Sequence, residues 1–274
     1  MQMTLTVGEA PFGRRGSGEF NFDTGVLQPH TLYFEDSPRR VRAVFNGETV
    51  ADSCRAKLLH ETGYLPVYYF PEEDLNPEIL AATDHTTHCP FKGDATYRSV
   101  EAGGRAAENA VWTYPNAADE ESVFAPLAGH AAIYFGCMDH WYEEDEEIFV
   151  HPRDPYTRVD VLDSSRHVRV LAGGEVVAET DRPKLLFETS LPVRYYIPPE
   201  DVRTESISRS ETRTACPYKG EATYYSVETG TGRVEDVGFS YPEPLKEARE
   251  VKDHFCFLGD GVTVEVDGEA DPEQ

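Results

Sequence analysis

The chain has 274 residues, 39% of them hydrophobic and 11% aromatic, enough for two ordinary domains that each bury a core. Its 25 Lys+Arg stand against 50 Asp+Glu, and the resulting charge of −25 repels phosphate backbones, so no nucleic-acid partner is expected. Five cysteines, at 54, 89, 137, 216 and 256, are odd in number and form no C-x-x-C pair, which fits reduced thiols in the cytoplasm better than a disulfide framework.

In chain order, residues 1–38 show no apolar core of signal-peptide length and read as an arm that packs on the surface. "VRAVFNGETVADS" alternates on either side of Asn46–Gly47, a strong hairpin cue. "SCRAKLLHE" and "EEDLNPEILAA" read as short helices, and "LPVYYFP" as a strand closed by proline. In "CPFKGDATY" (89–97), Pro90 favours an extended Cys89, and Gly93 supplies the positive φ that closes a turn. The longest apolar stretch, "PLAGHAAIYFGCM" (126–138), is too short to span a bilayer and is interrupted by His130, so no membrane partner is expected. "EEDEE" (143–147) reads as a solvated charge cluster, and "HPRDPYTRVDVLDSS" (151–165) as a linker.

The pattern then repeats. "RRVRAVFNGETVADSCRAKLLHET" (39–62) lies over "RHVRVLAGGEVVAETDRPKLLFET" (166–189), with Gly173–Gly174 in the hairpin position. "CPFKGDATY" (89–97) lies over "CPYKGEATY" (216–224) at the same offset, 216 − 89 = 127, and "VWTYP" (111–115) over "VGFSYP" (237–242). The expected fold is mainly β: two tandem repeats of a small antiparallel β domain, with one or two short helices each, at 39–150 and 166–268, followed by an acidic tail at 269–274.

A turn explains the repeated proline and glycine but requires neither lysine nor cysteine. The chain has six lysines (57, 92, 184, 219, 246, 252) against nineteen arginines, and four of the six form the matched pairs Lys57/Lys184 and Lys92/Lys219. A compact ammonium differs from guanidinium in pKa tunability and in Schiff-base chemistry, so Lys92 and Lys219 are candidate functional groups; a lysine at a turn tip is otherwise simply solvated. Cys89 and Cys216, three residues away, are candidate thiols or small buried apolar residues. His85 and His88 become Thr212 and Ala215 in the second copy, which argues against a shared Cys–His nucleophile; "HTTHC" makes a weak metal signal, and no metal site is assigned. With Arg55/Arg182, Glu61/Glu188, Tyr69/Tyr196 and Trp112/Phe239, the lysines have the chemical variety of a small ligand pocket, though each could equally be an internal partner or wall.

The order hairpin, ADS, R, LL-ET, LPVYYFP, D, CP(F/Y)KG-ATY and W-YP resembles the domain-of-unknown-function family 427, in its tandem two-domain form, over about 39–142 and 166–267. The resemblance implies a small, mostly β domain without an established activity, filed under a nucleotidyltransferase-like label. The carboxylate pair of common nucleotidyltransferases, the phosphate loop and the dinucleotide fingerprint are absent from the sequence. The second copy departs from the pattern at Glu179–Thr180, where the first has Asp52–Ser53, and at Phe239. Two readings follow: a small-molecule pocket in each repeat, with or without catalysis, or a non-catalytic interaction module arranged as a pseudo-dimer. Cofactor, oligomeric state and reaction are not legible in the residues.

Overall fold

The computed structural model describes residues 30–117, 124–230 and 232–274, and the chain divides into two compact units, Met1–Asp154 and Pro155–Gln274. The first unit contains β1 (Leu32–Asp36), β2 (Val41–Phe45), β3 (Glu48–Ser53), β4 (Lys57–Glu61), β5 (Val67–Pro71), β6 (Leu80–Cys89), β7 (Gly93–Ala102), β8 (Arg105–Thr113), β9 (His130–Ile133), β10 (His140–Glu143) and β11 (Glu146–Ile148). Seven strands form one sheet in the order β1-β4-β5-β9-β8-β7-β6, and four form another, β11-β10-β2-β3. All pairs are antiparallel.

The second unit repeats this with β12 (Val159–Asp163), β13 (Val168–Ala172), β14 (Glu175–Thr180), β15 (Lys184–Glu188), β16 (Arg194–Tyr196), β17 (Ile207–Cys216), β18 (Gly220–Thr229), β19 (Gly232–Ser240), β20 (Cys256–Phe257), β21 (Val262–Val266) and β22 (Glu269–Ala270). Its larger sheet is broken into β12-β15-β16 and β17-β18-β19-β20, joined by a single bridge between Ile197 and Phe255; β14-β13-β21-β22 is the smaller one. The mainly β, tandem architecture read from the sequence is the one observed. Among the described residues, helical structure is confined to short 3-10 turns, and no helix is long and apolar enough to cross a membrane.

Strand alternation assigns the core. On β5, Tyr68 and Phe70 point to the face that packs on the smaller sheet, with Val41, Ala43, Trp141 and Val111; Tyr69 points to the opposite face with Leu59, Trp112 and Ala132. Both faces of the larger sheet are therefore apolar, but only one is covered by the second sheet. The hairpin glycines do what the pattern required: Asn46 and Gly47 have φ of 50° and 83°, and Gly173 and Gly174 of 58° and 86°, the left-handed pair of a two-residue turn.

Several expectations are corrected. "SCRAKLLHE" is not helical: Lys57–Glu61 is strand β4, held between β1 and β5, where sheet pairing overrides helix propensity. "EEDLNPEILAA" yields only two 3-10 turns, Glu72–Asp74 and Pro77–Ile79, before β6 begins. The arm at 1–38 and the linker at 151–165 each end in a sheet strand, β1 and β12, so residues 32–36 and 159–163 are matched elements of the two units; the rest of the arm, up to residue 29, lies outside the described residues. The acidic tail starts in β22. Within "EEDEE", Glu143 is buried and accepts hydrogen bonds from Tyr68 Oη and Arg39 Nη1, both at 2.5 Å.

Candidate functional site

Strand register lays one row of side chains across the outer face of the first unit's large sheet. Asp36 faces Lys57, Lys57 faces Tyr69, Tyr69 faces Ala132, Ala132 faces Trp112 and Trp112 faces Tyr97. The row recurs in the second unit as Asp163, Lys184 and Tyr196 on one sheet, and Cys256, Phe239 and Tyr224 on the other. Edge-to-face contacts hold the middle: Tyr69 against Trp112 at 6.2 Å between centroids, and Tyr196 against Phe239 at 6.3 Å.

The Cys-Pro-x-Lys-Gly turn stands beside the aromatic end of this row. Lys92 N donates to Cys89 O at 3.3 Å, Cys89 pairs with Gly93, and Gly93 and Gly220 take φ of 86° and 97°, closing the hairpin as the sequence predicts. The lysine does not project into solvent. Lys92 Nζ turns inward to Glu61, the last residue of β4, with the two side chains 13% and 8% exposed. Lys219 does the same with Glu188, at 11% and 4%. Burial works against the Lys219 ammonium, but Glu188 and then the Cys216 sulfur more than offset it and raise its pKa above the ordinary lysine value. Lys92 also sits over Tyr64 and Tyr114, 5.9 and 6.0 Å from their centroids.

In the first unit these groups line a cavity of about 650 Å³. Glu61, Cys89 and Lys92 form its polar end, and Tyr69, Tyr97, Trp112 and Tyr114 its walls. Burial pushes Tyr69 well above the usual tyrosine range and raises Tyr114, so both hydroxyls stay protonated and available as donors. Thr87 Oγ1 lies 2.8 Å from Tyr97 Oη, a pair that recurs as Thr214 and Tyr224 at 3.1 Å. Three aromatic residues near the cavity are exposed: Tyr64, Phe91 and Tyr134.

Most of the sequence-predicted residues are brought together: Glu61, Tyr69, Cys89, Lys92 and Trp112 in one unit, and Glu188, Tyr196, Cys216, Lys219 and Phe239 around the matching pair in the other. Arg55 and Arg182 are the exceptions. Arg55 Nη2 lies 2.5 Å from Asp74, whose other oxygen accepts from Ser53 Oγ at 2.6 Å; on Asp201, Oδ2 accepts from both Thr180 Oγ1 at 2.7 Å and Arg182 Nε at 3.2 Å, and Oδ1 from Arg182 Nη2 at 3.4 Å. Each arginine is thus engaged by a carboxylate that fastens the β3–β4 or β14–β15 connection to the following 3-10 turn. The Ser53-to-Thr180 change keeps the hydroxyl that this latch needs.

The "HTTHC" run does not converge on a point: His85 packs on Tyr97, and His88 Nδ1 pairs with exposed Asp94 at 2.6 Å. Sequence reasoning missed His30. Its Nε2 lies 3.2 Å from Glu61 Oε1, and its ring stacks on Phe91 at 3.8 Å, so Glu61 takes both His30 and Lys92. The second unit has Thr157 at the matching offset, and no repeat signal could have pointed to this histidine.

A search of the curated proteins finds no match to this chain. The family described as "Domain of unknown function (DUF427)" matches residues 33–144 and 160–269, which together cover most of the chain and begin within the matched strands β1 and β12. The chain therefore belongs to the DUF427 family, as a tandem of two copies of its domain.

Proposed function

We propose that the first unit binds a small, largely apolar organic molecule carrying one uncharged polar group, a carbonyl or hydroxyl, held by the Lys92–Glu61 pair. The observation that carries this reading is the convergence of Glu61, Cys89 and Lys92 with four aromatic walls on one cavity of about 650 Å³. That volume lies within the roughly 300–1,000 Å³ usual for ligand pockets, and an apolar lining with a few convergent polar groups is their common form. Glu61 neutralises Lys92, and the chain's charge of −25 disfavours an anion at this end, so an uncharged group suits the site best. Lys92 donates to the ligand oxygen while Glu61 holds the ammonium in place. Five unpaired cysteines fit a reducing, cytoplasmic setting for this activity.

Both tryptophans of the chain, Trp112 and Trp141, belong to the first unit and line this cavity, so intrinsic fluorescence reports on it alone. The test is a thermal-shift and fluorescence screen of uncharged aromatic and carbonyl compounds on the wild type and Lys92→Met. A compound that raises the melting temperature and changes tryptophan emission in the wild type, and does neither in the variant, supports the reading. Compounds that act equally on both proteins, or a screen with no active compound, overturn it.

A further inference from the structure

The polar end of the first unit's cavity is rich in hydrogen-bond donors and poor in free acceptors. An ammonium carries three hydrogens, and Lys92 gives one of them to Glu61 Oε2. Tyr69 and Tyr114, only 1% and 6% exposed, line the same cavity. Neither hydroxyl donates to an acceptor among the described residues. The Tyr69 oxygen already receives a hydrogen bond from the Trp112 indole, which leaves it the role of donor. Burial first, with Glu61 and Cys89 nearby as lesser causes, keeps both hydroxyls protonated.

The acceptors there are already engaged. Among the described residues Glu61 is the only carboxylate lining the cavity, and both of its oxygens have partners. Oε2 accepts from Lys92, and Oε1 lies 3.2 Å from His30 Nε2. A ring nitrogen that faces a carboxylate carries its hydrogen, so His30 is the donor of this bond. The His30 ring is fixed by Phe91, stacked on it at 3.8 Å with 13° between the planes. His30 is not one of the lining residues and reaches the cavity only through Glu61. Elsewhere on the wall, the Thr87 and Tyr97 hydroxyls bond one another, and His88 turns to exposed Asp94.

We propose, resting on the ligand-binding reading of this cavity, that its ligand is a carbonyl compound rather than an alcohol, and that His30 is the positioning residue that enforces the choice. A ketone or aldehyde oxygen accepts from Lys92 and from a tyrosine hydroxyl, and needs no acceptor in return. An alcohol can accept the same bonds, but its own hydrogen then meets a carboxylate whose two oxygens are taken. A buried donor left without a partner costs more than an ordinary hydrogen bond gains. The second unit has Thr157 at the position of His30, so Glu188 lacks this second donor.

The test is calorimetric titration of the full chain with matched pairs: cyclohexanone and cyclohexanol, acetylnaphthalene and naphthylethanol. In the wild type each ketone should bind about tenfold more tightly than its alcohol, the scale of one buried hydrogen bond left unmade. His30→Ala frees Glu61 Oε1, so the alcohols should gain and the ratio fall to within about twofold. His30→Gln, whose amide can still donate to Glu61, should restore it. A general loss of structure would weaken both members of a pair alike, whereas this ratio moves only with the hydrogen bonding of the polar end. A wild-type ratio near one, or a preference that His30→Ala leaves intact, overturns the proposal. If those same compounds still lose their binding in Lys92→Met, the cavity reading stands without it. Failure of all four compounds to bind overturns both.

Discussion

The surroundings of Lys92–Glu61 in one unit and Lys219–Glu188 in the other are built on one plan and furnished differently. The turn, the buried ion pair, Tyr69/Tyr196 and Tyr114/Tyr241 are common to both. What differs lies beside them. Ala132 becomes Cys256, fully buried in the second unit's row, and Trp112 becomes Phe239. Tyr134, whose amide donates to Ala110, becomes Leu258, whose amide donates to Val237. Beyond the turn, Leu245 N donates to Lys219 O, and the Glu243 carbonyl lies 3.1 Å from where a side chain at Gly220 would begin. In the first unit, His30 reaches the shared carboxylate. The duplicated residues are therefore largely a frame, and the two units differ in the neighbours that duplication did not preserve.

The comparison can be broken most directly at the ion pair. Glu188→Leu leaves the Lys219 ammonium buried and unpaired, and should cost about 3–5 kcal/mol in urea denaturation, whereas Glu188→Leu with Lys219→Met should recover most of it. Glu61→Leu should cost less, because Lys92 opens on the cavity and can be hydrated. Equal losses in the two units would mean that the cavity does not set them apart. Cys256→Ala with Phe239→Trp rebuilds the first unit's row in the second. A stability loss of about 1–3 kcal/mol is expected, together with a new tryptophan that responds to the same compounds as Trp112.

Alkaline titration should come next in size. Burial holds Tyr69, Tyr114, Tyr196 and Tyr241 above the usual range, and Tyr134 and Tyr195 up to about 12. The unfolded chain releases these protons near pH 10, so the native state binds more of them above that pH. Stability should be at its full value below pH 10 and fall steadily between pH 10 and 12, which denaturation at stepped pH would follow. A flat profile would mean that these hydroxyls are not held from water. Thiol labelling should then rank exposed Cys54 first and buried Cys256, whose thiol burial pushes to about 12, last. Smallest of all, Arg55→Ala should cost under about 1 kcal/mol and leave ligand responses of the first unit intact, since its partners are exposed Glu73 and the latch carboxylate Asp74.

Much of this frame was legible in the residues. Asn46–Gly47 and Pro90–Gly93 announce their turns because glycine, asparagine and proline act through the local backbone, and such signals need no distant partner. The repeat itself marked Lys92, Glu61, Tyr69 and Trp112. Strand β4 was misread because "SCRAKLLHE" has acceptable helix formers, and only pairing with β1 and β5 makes it extended. Arg55 was misplaced for a similar reason: sequence identity tells that an arginine recurs, not that Asp74 lies within 2.5 Å of it.

By itself, then, the sequence determined the mainly β class, the twofold repetition, the hairpin turns and the list of recurring polar and aromatic residues, all of which rest on local conformation or on likeness between the halves. Only the tertiary structure decided which of them meet. Sheet register set Tyr69, Trp112 and Tyr97 in a row, turned Lys92 inward to Glu61 and brought His30 to the same carboxylate. The reason is physical: a strand's partner is chosen by burial across the whole sheet, and residues distant in the chain come together only once that choice is made.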